Sequence, residues 1–94
     1  MNSKAKFYIT TSIPYANAKP HLGHAMEFVQ ADTLARWHRQ RGEDVLLQIG
    51  TDEHGQKLYE AAQQAGIEPL TFVNEMSESF IKIAKDLQVN YDQF

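Results

Sequence analysis

Two histidines three residues apart, His21 and His24, enclose Leu22 and Gly23 and follow the segment Ile13-Pro14-Tyr15-Ala16-Asn17-Ala18-Lys19-Pro20. On a helix, residues at this spacing share a face. At a helix amino terminus the unpaired N–H groups and the dipole attract anions, and phosphate is the natural one. Each imidazole can donate a hydrogen bond to a phosphate oxygen without carrying a full charge. Gly23 removes a side chain where a flat base could approach the backbone. A second group, Gly50-Thr51-Asp52-Glu53-His54-Gly55-Gln56-Lys57, places carboxylates after an apolar run, and Asp52 there suits an ammonium group.

Plainer chemistry is open for both groups. His21 could be a surface cap residue and His24 a polar residue on a helix flank. Asp52 or Thr51 could be the N-cap of a following helix. His21 and His24 with Asp52 or Glu53 also match the two-histidine, one-carboxylate pattern of a metal face. Pro20 and Gly23 suit a phosphate cradle and add nothing to metal ligation, so no metal is assigned.

Both groups need a scaffold. Phe7 to Ser12 is short and rich in β-branched and aromatic residues, and Ile13-Pro14 ends it, since proline disfavours helix in the residue before it. This is the first expected strand. From about His21 to Arg41 the positions Leu22, Met26, Val29, Thr33 and Trp37 recur at steps of three and four, which predicts a helix with that stripe on a core. Gly42 closes it, and Arg36, Arg39 and Arg41 complement the dipole at its end, a solvated cluster that could also touch RNA. The mostly apolar run Asp44 to Gly50 reads as a second, buried strand. A helix from about Glu53 to Ala65 stops at Gly66, and another starts at Pro69 with the stripe Val73, Met76, Phe80, Ile83 and Leu87. Strand, helix, strand with this crossover is a parallel, right-handed βαβ unit. The strand-helix-strand-helix-helix order predicts an α/β fold, the first half of a Rossmann-like doubly wound parallel sheet. In such sheets ligands bind beyond the carboxyl ends of the strands, where both groups lie.

The 94 residues carry 43% hydrophobic and 22% charged residues, an ordinary globular composition. The formal net charge of -3 gives no strong positive field of the kind a nucleic-acid groove displays. The chain has no cysteine, hence neither disulfides nor thiolate metal sites, and a reducing, cytoplasmic location is the simplest expectation. No run is long enough to cross a bilayer, and residues 1–6 precede no signal-length apolar stretch. Two strands are too few for a closed parallel sheet, so residues 1–94 are expected to be one incomplete domain that self-associates or requires further chain.

His21-Leu22-Gly23-His24 resembles the His-Ile-Gly-His signature of the class I aminoacyl-tRNA synthetases, with Leu22 a mild departure. Ile13 to Asn17 upstream and Gly50 to Gly55 downstream resemble the methionyl-specific members at matching distances, and the resemblance runs from Phe7 to Phe94. It implies the amino-terminal part of a catalytic domain that forms methionyl-adenylate from ATP and methionine, then passes methionine to tRNA. It further implies that His21 and His24 contact the ATP phosphates in catalysis, that Gly23 lies under the adenine, and that Glu27 is a further nucleotide contact. Ile13, through its backbone, and Asp52 would hold the methionine ammonium, and Tyr15 would line the side-chain pocket. Magnesium would accompany ATP. The second, lysine-rich ATP signature and the zinc-binding cysteines of the family are not in this sequence, nor is its anticodon-binding part, so the 94 residues alone are expected to be inactive. A small nucleotidyltransferase with a similar histidine string and an inactive nucleotide-binding half-domain are the competing readings.

Overall fold

A computed structural model describes residues 4–53 and 55–94. It contains β1 (Lys6–Thr10), α1 (Leu22–Gln40), β2 (Asp44–Gln48), α2 (Gln56–Ala65) and α3 (Pro69–Asp86). The order is the expected one. β1 and β2 are parallel, with Lys6 opposite Asp44 and Thr10 opposite Gln48. Both strands end two residues earlier than their composition suggests, and α2 starts three residues later than expected. Beyond the ladder the two segments part and meet again where Tyr15 bridges Asp52. Residues 11–14 on one side then span residues 49–51 on the other, one residue more against β2. Such an excess swells the strand that carries it.

The sheet is covered on one face. Ile9, Val45, Leu47 and Ile49 turn toward a core shared with Phe28, Ala31 and Ala35 of α1 and Phe80 and Ala84 of α3. A second cluster joins Ala16 to Leu58 and Ala62 of α2 and Phe72 and Val73 of α3. On the other face Tyr8 is 58% and Leu46 37% exposed, so β2 is not the doubly buried strand its apolar run suggested. Alternation of side chains along a strand sends Leu46 outward once Leu47 is buried.

The stripe expected to bury α1 is on its outer side. Leu22, Met26, Val29 and Trp37 are exposed, Leu22 by 84%, while Phe28, Ala31, Asp32 and Ala35 face the core. Small residues at 31 and 35 let the helix approach the sheet closely, and the larger apolar residues sit where no layer covers them. The α3 stripe is placed as expected from Val73 to Ile83, while Leu87 is exposed. Gly66 ends α2 in the left-handed conformation (φ 71°), which glycine adopts without a Cβ clash. Pro69 opens α3, whose N-cap is Glu68: its carboxylate accepts from the N–H groups of Leu70 and Thr71. Those bonds, Thr71 first, hold the Glu68 carboxyl below its usual range.

After α3 the chain returns to the free edge of β2 and touches it through one isolated bridge. Residues 92–93 lie parallel to β2, with Gln93 bridging Gln48, Asp92 N–H donating to Leu47 O at 2.8 Å and Ile49 N–H donating to Gln93 O at 3.0 Å. Among the described residues the sheet has the two expected strands, and this isolated bridge covers only the end of the far edge of β2. Polar residues of α1 fasten this segment. The buried Asp32 accepts from Arg36 Nε at 2.7 Å and from Asn90 N–H at 2.9 Å. Arg36 also donates to Gln88 O, and Arg39 to Asp92 Oδ2, which accepts from Leu47 N–H as well. Arg41 lies over the Trp37 ring at 4.6 Å. The arginines of the expected basic cluster thus also bind the returning segment, through Arg36 and Arg39, and a ring of their own helix, through Arg41. No described helix is long and apolar enough to cross a membrane.

Replacing Asp32 by Ala would leave Asn90 N–H without its acceptor near the core. The expected loss is about 0.5–1.5 kcal/mol, the usual net contribution of one hydrogen bond, since Asn90 is exposed and its N–H can turn to water, measured as a lower urea midpoint with an unchanged slope.

Candidate functional site

The amino terminus of α1 is capped by imidazoles. His21 is the N-cap residue, not a member of the first turn, and its extended backbone (φ −121°, ψ 179°) turns the chain into the helix. Its Nδ1 accepts from Gly23 N–H at 3.0 Å, and the Nδ1 of His24 accepts from His21 N–H at 3.1 Å. The two histidines build the reciprocal pair of bonds that a serine and a glutamate make in an ordinary capping box. An Nδ1 that accepts carries no proton, so the hydrogen-bond network assigns the proton of each neutral ring to Nε2. Each ring can therefore offer an Nε2–H donor while its other nitrogen closes the helix.

The rings stack on each other, 3.8 Å apart at 24°, and His24 meets the edge of the buried Phe80 at 5.1 Å. Burial lowers the His24 pKa first and the nearby His21 second, against an opposing effect of Glu27. The ring is thus kept in the neutral form its cap bond requires. Gly23 is needed for the stack in a simple steric sense: a Cβ there would lie 2.8 Å from Cε1 and 3.1 Å from Nδ1 of His21.

Glu27, one turn further on, directs its carboxylate to the β1–α1 loop. Oε1 accepts from the N–H of Ser12 at 2.6 Å and from its hydroxyl at 2.8 Å. That grip fixes the chain immediately before Ile13. Glu27, expected from the resemblance as a nucleotide contact, thus also holds Ser12; the pairing joins residues 15 apart across a loop, and no local pattern signals it.

Tyr15, His21 and His24 line one hollow of about 350 Å³ with Pro14, Asn17, Ala18 and Lys19. Lys19 was part of the quoted loop but was not singled out; it brings a cation to the wall that holds the histidines. Ile13 points elsewhere, into a hollow of about 500 Å³ on the open face of the sheet, shared with Gly50, Thr51 and Glu53. Asp52 lies between the two by its backbone: its N–H donates to Pro14 O at 2.8 Å and its carbonyl accepts from Ala16 N–H at 3.0 Å. The order of the residues along the chain gave no hint that Asp52 pairs beside Tyr15.

Neither Thr51 nor Asp52 caps α2. The helix starts at Gln56 with Gly55 in the cap position and no side-chain cap bond. Thr51 is instead within hydrogen-bond distance of Ser77. His54 lies outside the described residues. Among the described residues, no three histidine, cysteine, aspartate or glutamate side chains form a group that could hold a metal ion, so a face of His21, His24 and Asp52 or Glu53 is not assembled there.

The family model described as class I tRNA synthetases (M) matches residues 7–94. The chain belongs to this family. Methionine–tRNA ligase of Thermotoga maritima is 49% identical over 89 residues, covering 95% of this chain and 14% of that protein. The Clostridium tetani enzyme of the same name is 45% identical over 94 residues, all of this chain and 14% of the relative. A solved structure of Mycobacterium tuberculosis methionyl-tRNA synthetase in complex with methionyl-adenylate matches with a TM-score of 0.94 at 39% identity, over 96% of this chain and 18% of that one. The chain thus spans about a seventh of the length of these curated relatives. As in other open α/β sheets, the start of α1 and the turn after β2 lie together beyond the carboxyl ends of the strands.

The depressed His24 pKa has a sign that can be tested. The unfolded chain takes a proton near 6.5 and the folded one only at lower pH. Between those two values the unfolded state binds more protons, so stability falls as pH drops below about 6.5 and is insensitive to His24 above it. An NMR titration of the His24 ring is expected to give a midpoint below that of a free histidine. Gly23→Ala, which displaces the His21 ring, should move that midpoint upward by removing part of the repulsion.

Proposed function

We propose that residues 1–94 are the amino-terminal, ATP- and methionine-binding part of the catalytic domain of a methionine–tRNA ligase. The observation that carries this reading is the doubly imidazole-capped start of α1, which opens on the hollow that Tyr15 also lines, beside the backbone-pinned Asp52. A helix terminus with two neutral N–H donors is a place for phosphate oxygens. A hollow bordered by Tyr15 beside an aspartate whose backbone is tied to the same loop is a place for an amino acid.

In the proposed reaction a carboxylate oxygen of methionine attacks the α-phosphorus of ATP, and the bond from that phosphorus to the bridging oxygen of pyrophosphate breaks. Pyrophosphate leaves with the electron pair, and methionyl-adenylate is formed. Negative charge grows on the phosphate oxygens in this step, and His21 and His24 would meet it through Nε2–H. Their cap bonds hold the rings in place beforehand, so little reorganisation accompanies the reaction. Gly23 would leave the backbone open to the adenine. Asp52 and the backbone of Ile13 would take the methionine ammonium, and Tyr15 would border the side chain. Glu27 would contact nucleotide from a carboxylate that also steadies Ser12.

ATP would enter with magnesium as substrate, and the methionyl group would then pass to the terminal ribose of the methionine tRNA. The second ATP signature, the tRNA-binding parts and any zinc site belong to chain other than these residues; without cysteine and without a described metal-holding group, nothing here fits zinc. A cytoplasmic site of action follows from the same proposal.

His24 is the residue to test, in the full-length enzyme, because its two nitrogens have separable duties. Asn in its place keeps an acceptor near the Nδ1 position but loses the Nε2 donor. Methionine-dependent pyrophosphate exchange by His24→Asn is expected to fall roughly 10²–10³-fold, with methionine KM and melting temperature nearly unchanged. Gln, whose amide nitrogen reaches the Nε2 position, should recover part of the rate. Full exchange in His24→Asn would show that His24 serves only as a cap.

A further inference from the structure

Ser77 is a polar residue in an apolar stripe. It lies on α3 between Val73 and Phe80 and is only 6% exposed. Its hydroxyl touches Thr51 Oγ1 at 2.9 Å and Glu53 Oε1 at 2.6 Å. A carboxylate only accepts and a serine hydroxyl has one proton, so Ser77 donates to Glu53, and Thr51 must donate to Ser77. One hydroxyl thus holds both neighbours of Asp52. The backbone of Asp52 is tied in the other direction, to Pro14 and Ala16 of the loop after β1. The turn after β2 is therefore fastened to the sheet side by its main chain and to α3 by the side chains on either flank.

We infer that Ser77 is a positioning residue for Asp52, acting through Thr51 and Glu53 to fix the direction in which the Asp52 carboxylate meets the methionine ammonium. The inference rests on the proposed role of Asp52. Helix stability gives no reason for a hydroxyl at this place, because alanine is the better helix former and a buried hydroxyl must find partners. The partners it finds are both in the turn that carries Asp52. Thr51 and Glu53 can turn to water when Ser77 loses its hydroxyl, since neither is buried. The consequence of losing the hydroxyl falls on geometry more than on stability.

The test is methionine-dependent pyrophosphate exchange by the full-length enzyme, comparing Ser77→Ala, Thr51→Val, Asp52→Ala and the double variant Ser77→Ala with Asp52→Ala. Ser77→Ala and Thr51→Val should each raise the methionine KM about threefold to tenfold, as expected for loosening one or two hydrogen bonds, while the KM for ATP stays as it was. The double variant should be no worse than Asp52→Ala, because Ser77 acts through Asp52. An unchanged methionine KM in the first two variants, with a raised one in Asp52→Ala, overturns the positioning role and leaves the proposed site standing. A double variant whose losses multiply overturns it in the same way. An unchanged methionine KM in Asp52→Ala overturns the site itself and the inference with it. Should Ser77→Ala fail to fold, Thr51→Val, in the turn and not in the helix, decides the matter alone.

Discussion

The parallel ladder between β1 and β2 is the constraint on which the site depends. Parallel strands must leave the sheet at the same edge, so the loop that leads to α1 and the turn that leads to α2 emerge side by side. The ladder then resumes for one step at Tyr15 and Asp52. This second closure, with one more residue on the β1 side than on the β2 side, leaves Ile13 on one wall and Tyr15 on another, with the Asp52 backbone between them. A one-residue slip of β1 against β2 would part Tyr15 from Asp52 and turn the side chains of the slipped strand to the other face.

Fold and chemistry use the same atoms at the start of α1. The first N–H groups of any helix lack partners within it; here the imidazole nitrogens of His21 and His24 supply two of those partners. The bonds also select the tautomer that carries its proton on Nε2, the nitrogen available to a ligand. Burial against Phe80 keeps His24 neutral, which protects the cap, and the missing Cβ of Gly23 leaves His21 its room. A serine or aspartate cap would stabilise the helix as well. An aspartate would leave no donor, and a serine hydroxyl would keep its proton close to the cap and not a ring's width beyond it.

The remaining polar residues of α1 serve assembly. Asp32, Arg36 and Arg39 reach residues 88–92 and seat that returning segment beside the end of β2, although the helix and that segment are more than 50 residues apart in sequence. The large apolar residues of the same helix lie outside, as do Tyr8 and Leu46 on the open face of the sheet. The core is correspondingly concentrated on one side, where Phe28, Leu47, Ile49 and Phe80 are fully buried.

Local pattern was enough for the element types, their order, the caps at Gly66 and Pro69 and the α/β class, since each depends on residues a few positions apart. It was also enough to recognise the family, and it named His21, Gly23, His24 and Asp52 as candidates for its chemistry. The side of α1 that meets the core was not legible, because both of its faces carry apolar residues and only the sheet decides which is covered. The tyrosine-to-aspartate closure, the grip of Glu27 on Ser12, the bridge of Gln93 to β2 and the Thr51–Ser77–Glu53 chain were likewise hidden. Each joins residues that lie far apart in the chain, and hydrogen bonds of that kind are fixed only when packing brings two surfaces to within about 3 Å of each other.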